Sequence, residues 1–406
     1  MLETRGPSRD LINFVLPQTG ALVEVADPVQ PYVLLDADGT VVEPVSAFFA
    51  ELQACSRPPS TMRSYGMDLL RWWRFLDAVK VEWDRATQAE ARDFARWMAI
   101  APKPVRVHWR GRPAGPKEVS TAAGSLAGVP NAVTGRAGPG LMYAASTRAH
   151  CETVLRSFYD FHLDAGTGPI VNPFPLGRES RRLPSAAGRA SRSSPGGRYR
   201  PSVPVRIPGR IPDARFDELF AKLRYNRDRA LLAFWVSNGA RAEELLTCRQ
   251  RDVLPGEQLL GVVRKGTRAY QQVPSAADAF VWLRLYQEEA WRAGVPRGPG
   301  RWLWWTLRPP FRPLTYHAAR AMFGQANALL GSNWTLHDLR RTAAYRMSRD
   351  PKLALTDVQW VLGHAHLSTT QIYLNPRELH QTGEKSQVSS SRDGREALRS
   401  YYALAI

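Results

Sequence analysis

The stretch that decides the fold reads Thr335-Leu-His-Asp-Leu-Arg-Arg-Thr342, followed by Leu362-Gly-His-Ala-His-Leu-Ser-Thr-Thr-Gln-Ile-Tyr373. His337 and Arg340 stand three positions apart, which places both side chains on one face of a helix. Such a pair can bind one phosphate, the arginine through charge-assisted hydrogen bonds and the histidine by giving or accepting a proton. The pattern His-x-x-Arg also arises by chance, so the pair needs further support.

The residues around the two ends of this stretch predict short helices. Apolar spacing predicts a helix over residues 356–362, and Gly363 suits its left-handed C-terminal cap, which places His364 just beyond a helix end. Ser368-Thr-Thr-Gln371 matches a capping box, so a new helix is expected there with Tyr373 in its second turn. A tyrosine at such a place is either a half-buried packing residue or an exposed reactive group.

Two basic residues upstream, Arg241 and Lys265, lie next to predicted secondary-structure elements. Arg241 follows Gly239 at the end of an apolar helix predicted over residues 230–236, and Glu244 lies three positions further on. Glu244 and Arg241 form either a structural ion pair or an arrangement in which the carboxylate orients the guanidinium for function. Residues 259–263 and 269–273 have strand character and are joined by a basic turn that contains Lys265.

Composition indicates a polyanionic partner. The 406 residues include 55 Lys and Arg against 37 Asp and Glu, a net charge of +18. Such an excess is typical of nucleic-acid-binding proteins, although ribosomal proteins and secreted basic enzymes share it. The three cysteines, Cys55, Cys151 and Cys248, are too few and too widely spaced for a disulfide framework or a cysteine zinc site. Without a membrane-spanning or signal-like segment, we expect a soluble cytoplasmic protein that does not interact with a membrane.

Composition shifts divide the chain into five parts. Residues 1–44 form an irregular arm with one hairpin, in which residues 32–35 pair with 40–42 across Asp38-Gly39. Residues 45–175 form a helical bundle with a long insertion at 102–140, which either contacts DNA or is disordered. Residues 176–210 are a basic linker, 211–376 a second domain with helices and a small antiparallel sheet, and 377–406 a polar tail. The apolar end of that tail, residues 398–406, suits docking onto a neighbouring subunit, with fraying as the alternative.

Several arginines outside the second domain are candidates for DNA contact. Arg63, Arg71 and Arg74 fall between the apolar positions of a helix that starts near Ser60, where they either line DNA or form a solvated face. A later helix of the bundle is expected to begin at Thr147 as its N-cap. The linker carries nine arginines and one acid. Arg181 and Arg182 belong to this set, which lies against phosphates or serves as a flexible tether.

Read in order, these pieces resemble a known active site. Arg241, Lys265, His337-x-x-Arg340, His364 and Tyr373 are similar in order and spacing to the catalytic series of the tyrosine recombinases, the phage integrase family. The resemblance is detailed over residues 212–376 and looser over 45–175. It implies a mainly α fold: an N-terminal helical core-binding (SAM-like) domain and a C-terminal mixed α/β catalytic domain, mostly helical with a small antiparallel sheet.

The resemblance also implies a role for each residue. Tyr373 would attack the scissile phosphate and form a 3′-phosphotyrosyl link, with a free 5′-hydroxyl on the other DNA piece. Arg241 and Arg340 would bind the non-bridging oxygens, with Glu244 supporting Arg241. Lys265 would protonate the departing 5′-oxygen.

The two histidines complete the implied set. His337 would act as the acid–base partner of the tyrosine, and His364 would hydrogen-bond the phosphate. One departure concerns the hairpin, where Arg264 stands before Lys265 and family members often have glycine. Arg264 or Arg268 could therefore share the electrostatic task and contact DNA.

The expected activity is site-specific DNA recombination or integration, for a mobile element or a phage. A covalent intermediate conserves the energy of the phosphodiester bond, so we expect no cofactor and no metal. The expected partners are double-stranded DNA with specific recombination sites and further copies of the chain, as a tetramer on DNA. The alternatives are a type IB topoisomerase-like relaxase and a DNA-binding protein that has the same fold but does not cleave.

Overall fold

A computed structural model describes residues 9–104, 120–121, 125–126, 128–138, 140–177, 196–203 and 209–371. The chain divides into two compact units. Unit 1 comprises Met1–Ala114 and Gly140–Val205, and unit 2 comprises Gly115–Pro139 and Arg206–Ile406. The sequence groups the whole 102–140 insertion with the N-terminal helices, whereas the described residues of its second half, 128–138 among them, belong to unit 2.

Some of the predicted features lie outside the described residues. These are Tyr373, the linker arginines Arg181 and Arg182, and the tail at 377–406.

The described part of unit 1 contains a two-stranded antiparallel sheet and four helices around an aromatic core. The elements are β1 (Ala21–Glu24), β2 (Tyr32–Leu35), α1 (Glu43–Ala54), α2 (Pro59–Val79), α3 (Gln88–Ile100) and α4 (Ala145–Asp164). Trp72 of α2 is fully buried, and its indole N–H donates to the hydroxyl of Tyr159 on α4 at 2.9 Å. The buried aromatic face of α2 thus joins the helices of this unit.

Two local predictions in unit 1 were wrong. Strand β2 pairs with β1, and only an isolated bridge between Leu35 and Val41 remains of the predicted hairpin. The reason is that α1, a helix not predicted from the sequence, begins at Glu43 with Pro44 in its first turn and leaves little chain for a second strand. Helix α4 begins at Ala145 with Ala144 as its N-cap, so the predicted cap Thr147 lies inside the helix.

Unit 2 contains the remaining helices and strands. Its elements are β3 (Ser120–Thr121), β4 (Ser125–Leu126), α5 (Asp213–Ala221), α6 (Asn226–Asn238), α7 (Ala242–Leu246), β5 (Val253–Leu254), β6 (Leu259–Val263), β7 (Tyr270–Pro274), α8 (Ala277–Arg292), α9 (Tyr316–Leu329), α10 (Leu336–Arg349), α11 (Leu355–Leu362) and α12 (Leu367–Gln371). Strands β5, β6 and β7 form an antiparallel sheet in that order. The sequence predicted β6 and β7 but missed β5, which is only two residues long.

Helix α6 is the centre of unit 2. It is buried on nearly all sides and packs against α8 and α10. Such a helix has no polar face, in keeping with its apolar sequence from Ala230 to Val236. A smaller core joins the far side of α10 to α11 through Ala343 and Met347 on one helix and Val358 and Val361 on the other. No helix among the described residues of either unit is both long and apolar enough to span a membrane.

The end of α6 requires glycine. Gly239 has φ +63°, and a Cβ atom there would lie 2.7 Å from Leu362 Cδ2 and 3.2 Å from Ala343 Cβ. The left-handed backbone and the close approach of α10 and α11 both exclude a side chain. The turn before Arg241 therefore depends on this residue.

We expect Gly239→Ala to destabilise unit 2 by about 2–5 kcal/mol, combining about 1–2 for the left-handed backbone with about 1–3 for overpacking. Thermal unfolding followed by circular dichroism would measure the change. Gly331→Ala is a matched control, because Gly331 has φ +61° but its Cβ would meet only Val133 Cγ2, at 3.9 Å. Equal losses in the two variants would contradict the steric part of the explanation.

Candidate active site

The turn between α6 and α7 brings Arg241 into the site. The buried amide of Asn238 donates to Ser275 Oγ at 2.9 Å, and its Oδ1 accepts from the backbone N–H of Ala240 at 2.9 Å. These bonds fix the turn and place Arg241 at the N-cap of α7. The Arg241 side chain is 31% exposed, compared with 5% for that of Arg264. Arg241 is therefore the more accessible of these two guanidinium groups.

Glu244 is the acceptor on which several donors of the site converge. Its side chain is 1% exposed. One oxygen, Oε2, accepts from the Arg241 backbone N–H at 3.0 Å and from Arg264 Nη1 at 3.1 Å. The other, Oε1, accepts from Arg241 Nη1 at 2.8 Å and from the Lys265 backbone N–H at 3.0 Å. The carboxylate thus joins α7 to the turn between β6 and β7.

The ionisation of Glu244 follows from these contacts. Burial alone would raise the pKa of the carboxyl, but hydrogen bonds from Lys265 and Arg241 and the charge of Arg264 outweigh it and lower the pKa. Glu244 is therefore a carboxylate at neutral pH. Both interpretations that the sequence left open are compatible with this geometry, since the ion pair with Arg241 exists and also orients its guanidinium.

The turn between β6 and β7 presents Lys265 to solvent. Its side chain is 56% exposed, and Nζ lies 3.1 Å from Glu243 Oε2. The turn continues through Gly266 at φ +102° to Arg268, which is exposed and has φ +59°. Lys265 is thus held at its backbone by Glu244, while its ammonium group is exposed and pairs with Glu243.

Arg264 has a different environment from the other basic residues of this turn. It is 4% exposed, its Nε donates to Gln271 Oε1 at 2.7 Å, and its Nη2 donates to the carbonyl of Val361 near the end of α11. A Cβ on Gly363 would lie 3.0 Å from Arg264 Nε. This placement favours a positioning role for Arg264 over the direct DNA contact that the sequence suggested.

Helix α10 carries His337 and Arg340. Arg340 is 2% exposed, and its guanidinium donates from Nη1 to the Gly239 carbonyl at 2.7 Å and from Nη2 to the Leu362 carbonyl at 2.6 Å. It therefore links the end of α6 to the end of α11. His337, in the first turn of the helix, is exposed.

His364 follows α11 and is held on both its backbone and its ring. Its backbone N–H donates to the Gln359 carbonyl at 3.1 Å, and its carbonyl accepts from Gln359 Nε2 at 2.9 Å. Its Nδ1 lies 2.9 Å from Oγ1 of Thr370, a buried residue of α12. That helix begins at Leu367, one residue before the predicted start at Ser368.

The arginine charges depress the basicity of both histidines. Burial, followed by the charges of Arg340 and Arg241, lowers the pKa of His364 to about 4. Partial removal from solvent and the charges of Arg341 and Arg340 lower the pKa of His337. Both rings are therefore neutral at pH 7, and each can accept a proton or donate its single N–H.

Five of the six residues predicted to be catalytic belong to this one cluster. Arg241 and Lys265 both bond to Glu244. Arg340 bonds to the carbonyls of Gly239, which lies two residues before Arg241, and Leu362, which lies two residues before His364. His337 shares α10 with Arg340. The sixth, Tyr373, lies outside the described residues. Within the part of the chain that the structure describes, no group of three or more His, Cys, Asp or Glu side chains could hold a metal ion.

The three arginines predicted on the α2 surface differ in their contacts. Arg63 is exposed. Arg71 pairs with Asp68, and its side chain is 22% exposed. Arg74 donates from Nε to the Thr19 carbonyl at 2.6 Å and from Nη2 to the Gly20 carbonyl at 3.1 Å. Arg74 therefore holds the N-terminal arm, and Arg63 is the most open of the three to a DNA backbone.

Asp338, which lies between His337 and Arg340, is a residue of the site that was not predicted from the sequence. Its side chain is fully buried and accepts from the Thr335 backbone N–H at 2.7 Å and from Thr335 Oγ1 at 2.8 Å. The spacing Thr335-x-x-Asp338 is a capping-box pattern, so the sequence did contain a local signal for this contact. The ion pair of Asp338 with Arg136 had no such signal.

Two family models match the chain. One, described as the phage integrase family, matches residues 211–380, and the other, described as the phage integrase N-terminal SAM-like domain, matches residues 45–104. The chain belongs to the phage integrase family of tyrosine recombinases. The predicted fold class, a helical SAM-like domain followed by a mostly helical catalytic domain with a small antiparallel sheet, is confirmed.

Curated relatives include several Xer recombinases. The tyrosine recombinase XerC of Rhodospirillum centenum is 26% identical over 342 residues, which cover 82% of this chain and 90% of that protein. XerD of Yersinia pestis is 26% identical over 200 residues, which cover 45% of this chain and 64% of that protein. The chain therefore spans less than two thirds of the Yersinia pestis relative.

Solved structures with the same fold include recombinases bound to DNA. XerH bound to a palindromic difH substrate has a TM-score of 0.51 at 15% identity, over 82% of this chain and 81% of that one. A lambda integrase dimer bound to a COC′ core site has a TM-score of 0.51 at 13% identity, over 86% of this chain and 80% of that one. At these identities the likeness concerns the fold.

We expect Glu244→Gln to destabilise unit 2 by about 3 kcal/mol or more at pH 7, because it leaves buried Arg264 without its counter-charge. The folded pKa of Glu244 lies below the ordinary 4.5, so this stabilisation is present above that pH and is lost as pH falls through the folded pKa. Urea denaturation at several pH values measures it. Glu243→Gln, at a carboxylate that is 60% exposed, is the matched control and should cost no more than about 1 kcal/mol. A pH-independent difference for Glu244→Gln would contradict the assignment.

We expect the histidines of the DNA-free protein to titrate far apart. His364 should titrate near pH 4, and His150, which pairs with Asp68 at 2.7 Å, above 6.5. Selective labelling of histidine rings for NMR, with single His→Gln variants for assignment, measures both values. A pKa of His364 at or above 6.5 would contradict the combined effect of burial and the arginine charges on its ring.

Proposed function

We propose that this chain is a site-specific DNA recombinase or integrase that cuts and rejoins strands through a 3′-phosphotyrosyl intermediate. The observation that carries the proposal is that one cluster holds four of the predicted residues. Glu244 binds Arg241 and Lys265, and Arg340 binds the end of α11, which His364 follows. Family membership and the net charge of +18 support it. The proposed partners are double-stranded DNA with specific sites and three further copies of the chain.

The site would bind one phosphodiester at its positive centre. Arg241 and Arg340 would contact the non-bridging oxygens, whose negative charge grows toward the transition state. Arg340 is held by two backbone carbonyls, so its position would require little reorganisation when DNA binds. If Thr370 donates its hydroxyl proton to His364 Nδ1, the ring carries its proton on Nε2 and can donate it to the phosphate.

The chemical step would proceed as a transfer between two esters. The Tyr373 oxygen would form a bond to phosphorus while the bond from phosphorus to the 5′-oxygen breaks. The tyrosine proton would pass to neutral His337, whose lowered pKa leaves the ring able to accept it at pH 7. Lys265 would give a proton to the departing 5′-oxygen. Rejoining is the reverse, with a 5′-hydroxyl as the nucleophile, and needs neither ATP nor a metal.

The basic residues outside this cluster would hold the DNA backbone. Arg63 on α2, Arg268 in the β6–β7 turn and the linker arginines, including Arg181 and Arg182, are proposed to contact phosphates. Arg71 and Arg74 have protein partners, Asp68 and the arm backbone. We propose that they support the DNA-binding surface.

We expect the purified protein to form a detergent-resistant covalent complex with nicked DNA that contains its site, and Tyr373→Phe to abolish it, because phenylalanine has no oxygen to attack phosphorus. Denaturing electrophoresis of labelled DNA measures the adduct. Tyr316→Phe, at a tyrosine of α9 that is 43% exposed, is the matched control and should retain it. An adduct that persists in Tyr373→Phe would assign the nucleophile to another residue.

The same assay separates the alternatives. Supercoiled DNA relaxed without a specific site or any recombinant product would indicate a type IB topoisomerase-like relaxase. Site-specific binding by the wild-type protein with no adduct on nicked DNA would indicate a DNA-binding protein that does not cleave. Mapping the cleavage positions on DNA that flanks the gene would give the recombination site.

A further inference from the structure

A loop from the insertion packs on the segment that precedes α10. This loop, residues 128–138, lies in sequence between α3 and α4 of unit 1 but belongs to unit 2. Asn131 Nδ2 donates to the Gly331 carbonyl at 2.8 Å, and Thr134 Oγ1 donates to Asn333 Oδ1 at 2.5 Å. Asn333 Nδ2 in turn donates to the Arg136 carbonyl at 3.0 Å. The contact is therefore reciprocal and polar.

The loop is held in one shape by its own hydrogen bonds. Asn131 is 7% exposed, and its Oδ1 accepts from the backbone N–H groups of Val133 at 3.0 Å and Thr134 at 2.9 Å. The Asn131 backbone N–H donates to the Arg136 carbonyl at 2.9 Å, and that of Gly135 to the Asn131 carbonyl at 2.8 Å. An asparagine that closes a turn in this way gives the loop a defined conformation.

The side chain of Arg136 reaches α10, the helix that carries His337 and Arg340. Its Nη1 donates to Asp338 Oδ2 at 2.7 Å and its Nη2 to Asp338 Oδ1 at 2.9 Å, a two-pronged ion pair. Burial alone would raise the pKa of Asp338, but the hydrogen bonds from Arg136 and Thr335 lower it. Arg341 Nη1 is a further donor to Asp338, at 3.2 Å. Of the two arginines that bind this fully buried carboxylate, Arg136 makes the shorter contacts.

Asp338 is next to His337 and two residues before Arg340, and its bonds to Thr335 hold the first turn of α10. We propose that Arg136 is a positioning residue of the active site: through Asp338 it fixes the orientation of this first turn, and with it His337 and Arg340, relative to the DNA phosphate. The proposal rests on the function proposed above. It gives the 128–138 loop a role in the reaction itself.

The geometry favours this role over a phosphate contact by Arg136. Both terminal nitrogens of its guanidinium point at the two oxygens of one buried carboxylate, and the side chain is 30% exposed. The two-pronged contact also defines the plane of the carboxylate, which a lysine could not do. By analogy with residues that orient metal ligands through an intervening side chain, removal of such a residue is expected to lower activity by about 10- to 100-fold.

We expect Arg136→Ala to lower the single-turnover cleavage rate at saturating DNA by about 10- to 100-fold, with DNA affinity within about twofold of wild type. Arg136→Lys should lie between wild type and Arg136→Ala, because it keeps the charge but loses the fork. The rate is measured from covalent-adduct formation on nicked DNA and the affinity from fluorescence anisotropy. Arg320→Ala, which removes an exposed arginine of α9, is the matched control and should change neither value.

Each outcome has a distinct meaning. A lower melting temperature with an unchanged rate at saturating DNA would make Arg136 a purely structural residue and overturn the proposal. Weaker binding with a shallower salt dependence and an unchanged saturating rate would make it a phosphate contact, which also overturns the proposal. If the wild-type protein forms no adduct, that result contradicts the function proposed above and is independent of Arg136.

Hydrogen exchange provides a readout that does not depend on activity. The backbone N–H of Thr335 donates to Asp338 Oδ2, so its protection reports directly on the carboxylate that Arg136 holds. In the full-length DNA-free protein, Arg136→Ala should accelerate exchange at the peptide that spans residues 333–340 more than at α8. Unchanged protection at 333–340 would overturn the proposal even if the rate fell.

Discussion

The candidate active site depends on one buried charge, the carboxylate of Glu244. An ionised group with 1% exposure is stable only when its oxygens are fully engaged, and Glu244 accepts four hydrogen bonds from Arg241, Arg264 and Lys265. Two of these donors are backbone N–H groups. The carboxylate therefore fixes not only side chains but also the chain path of α7 and of the β6–β7 turn, which are separated in sequence.

Two buried guanidinium groups extend this arrangement to the end of α11. Arg264 and Arg340 donate to the carbonyls of Val361 and Leu362, which lack partners within their own helix. His364 follows directly, so its position depends on both arginines. Burial, together with the arginine charges, keeps its pKa near 4, and a phosphate placed among the arginines would offset their charges. The DNA-free site is thus strongly positive and contains neutral histidines.

Asp338 repeats the same principle on the other side of the site. Like Glu244, it is a fully buried carboxylate that closes the start of a helix and pairs with arginine. In each case one partner comes from a segment distant in sequence, Arg264 from the hairpin and Arg136 from the 128–138 loop. The two helix starts that present Arg241 and His337 are thereby tied to elements that local sequence does not connect to them.

The sequence by itself determined the helical character of both units, the strands β6 and β7, the glycines that end α6 and α11, and the order of the candidate catalytic residues. These features depend on residue periodicity and on backbone preferences over a few positions, so neighbouring residues in the sequence are enough to predict them. Only the tertiary structure decided that Arg264 is buried against α11, that Arg74 holds the N-terminal arm, that β2 pairs with β1, and that Arg136 reaches Asp338 across 202 positions. An arginine side chain is long and can pair with any acceptor within its reach. Its partner is therefore set by the packing of distant segments, which no local pattern encodes.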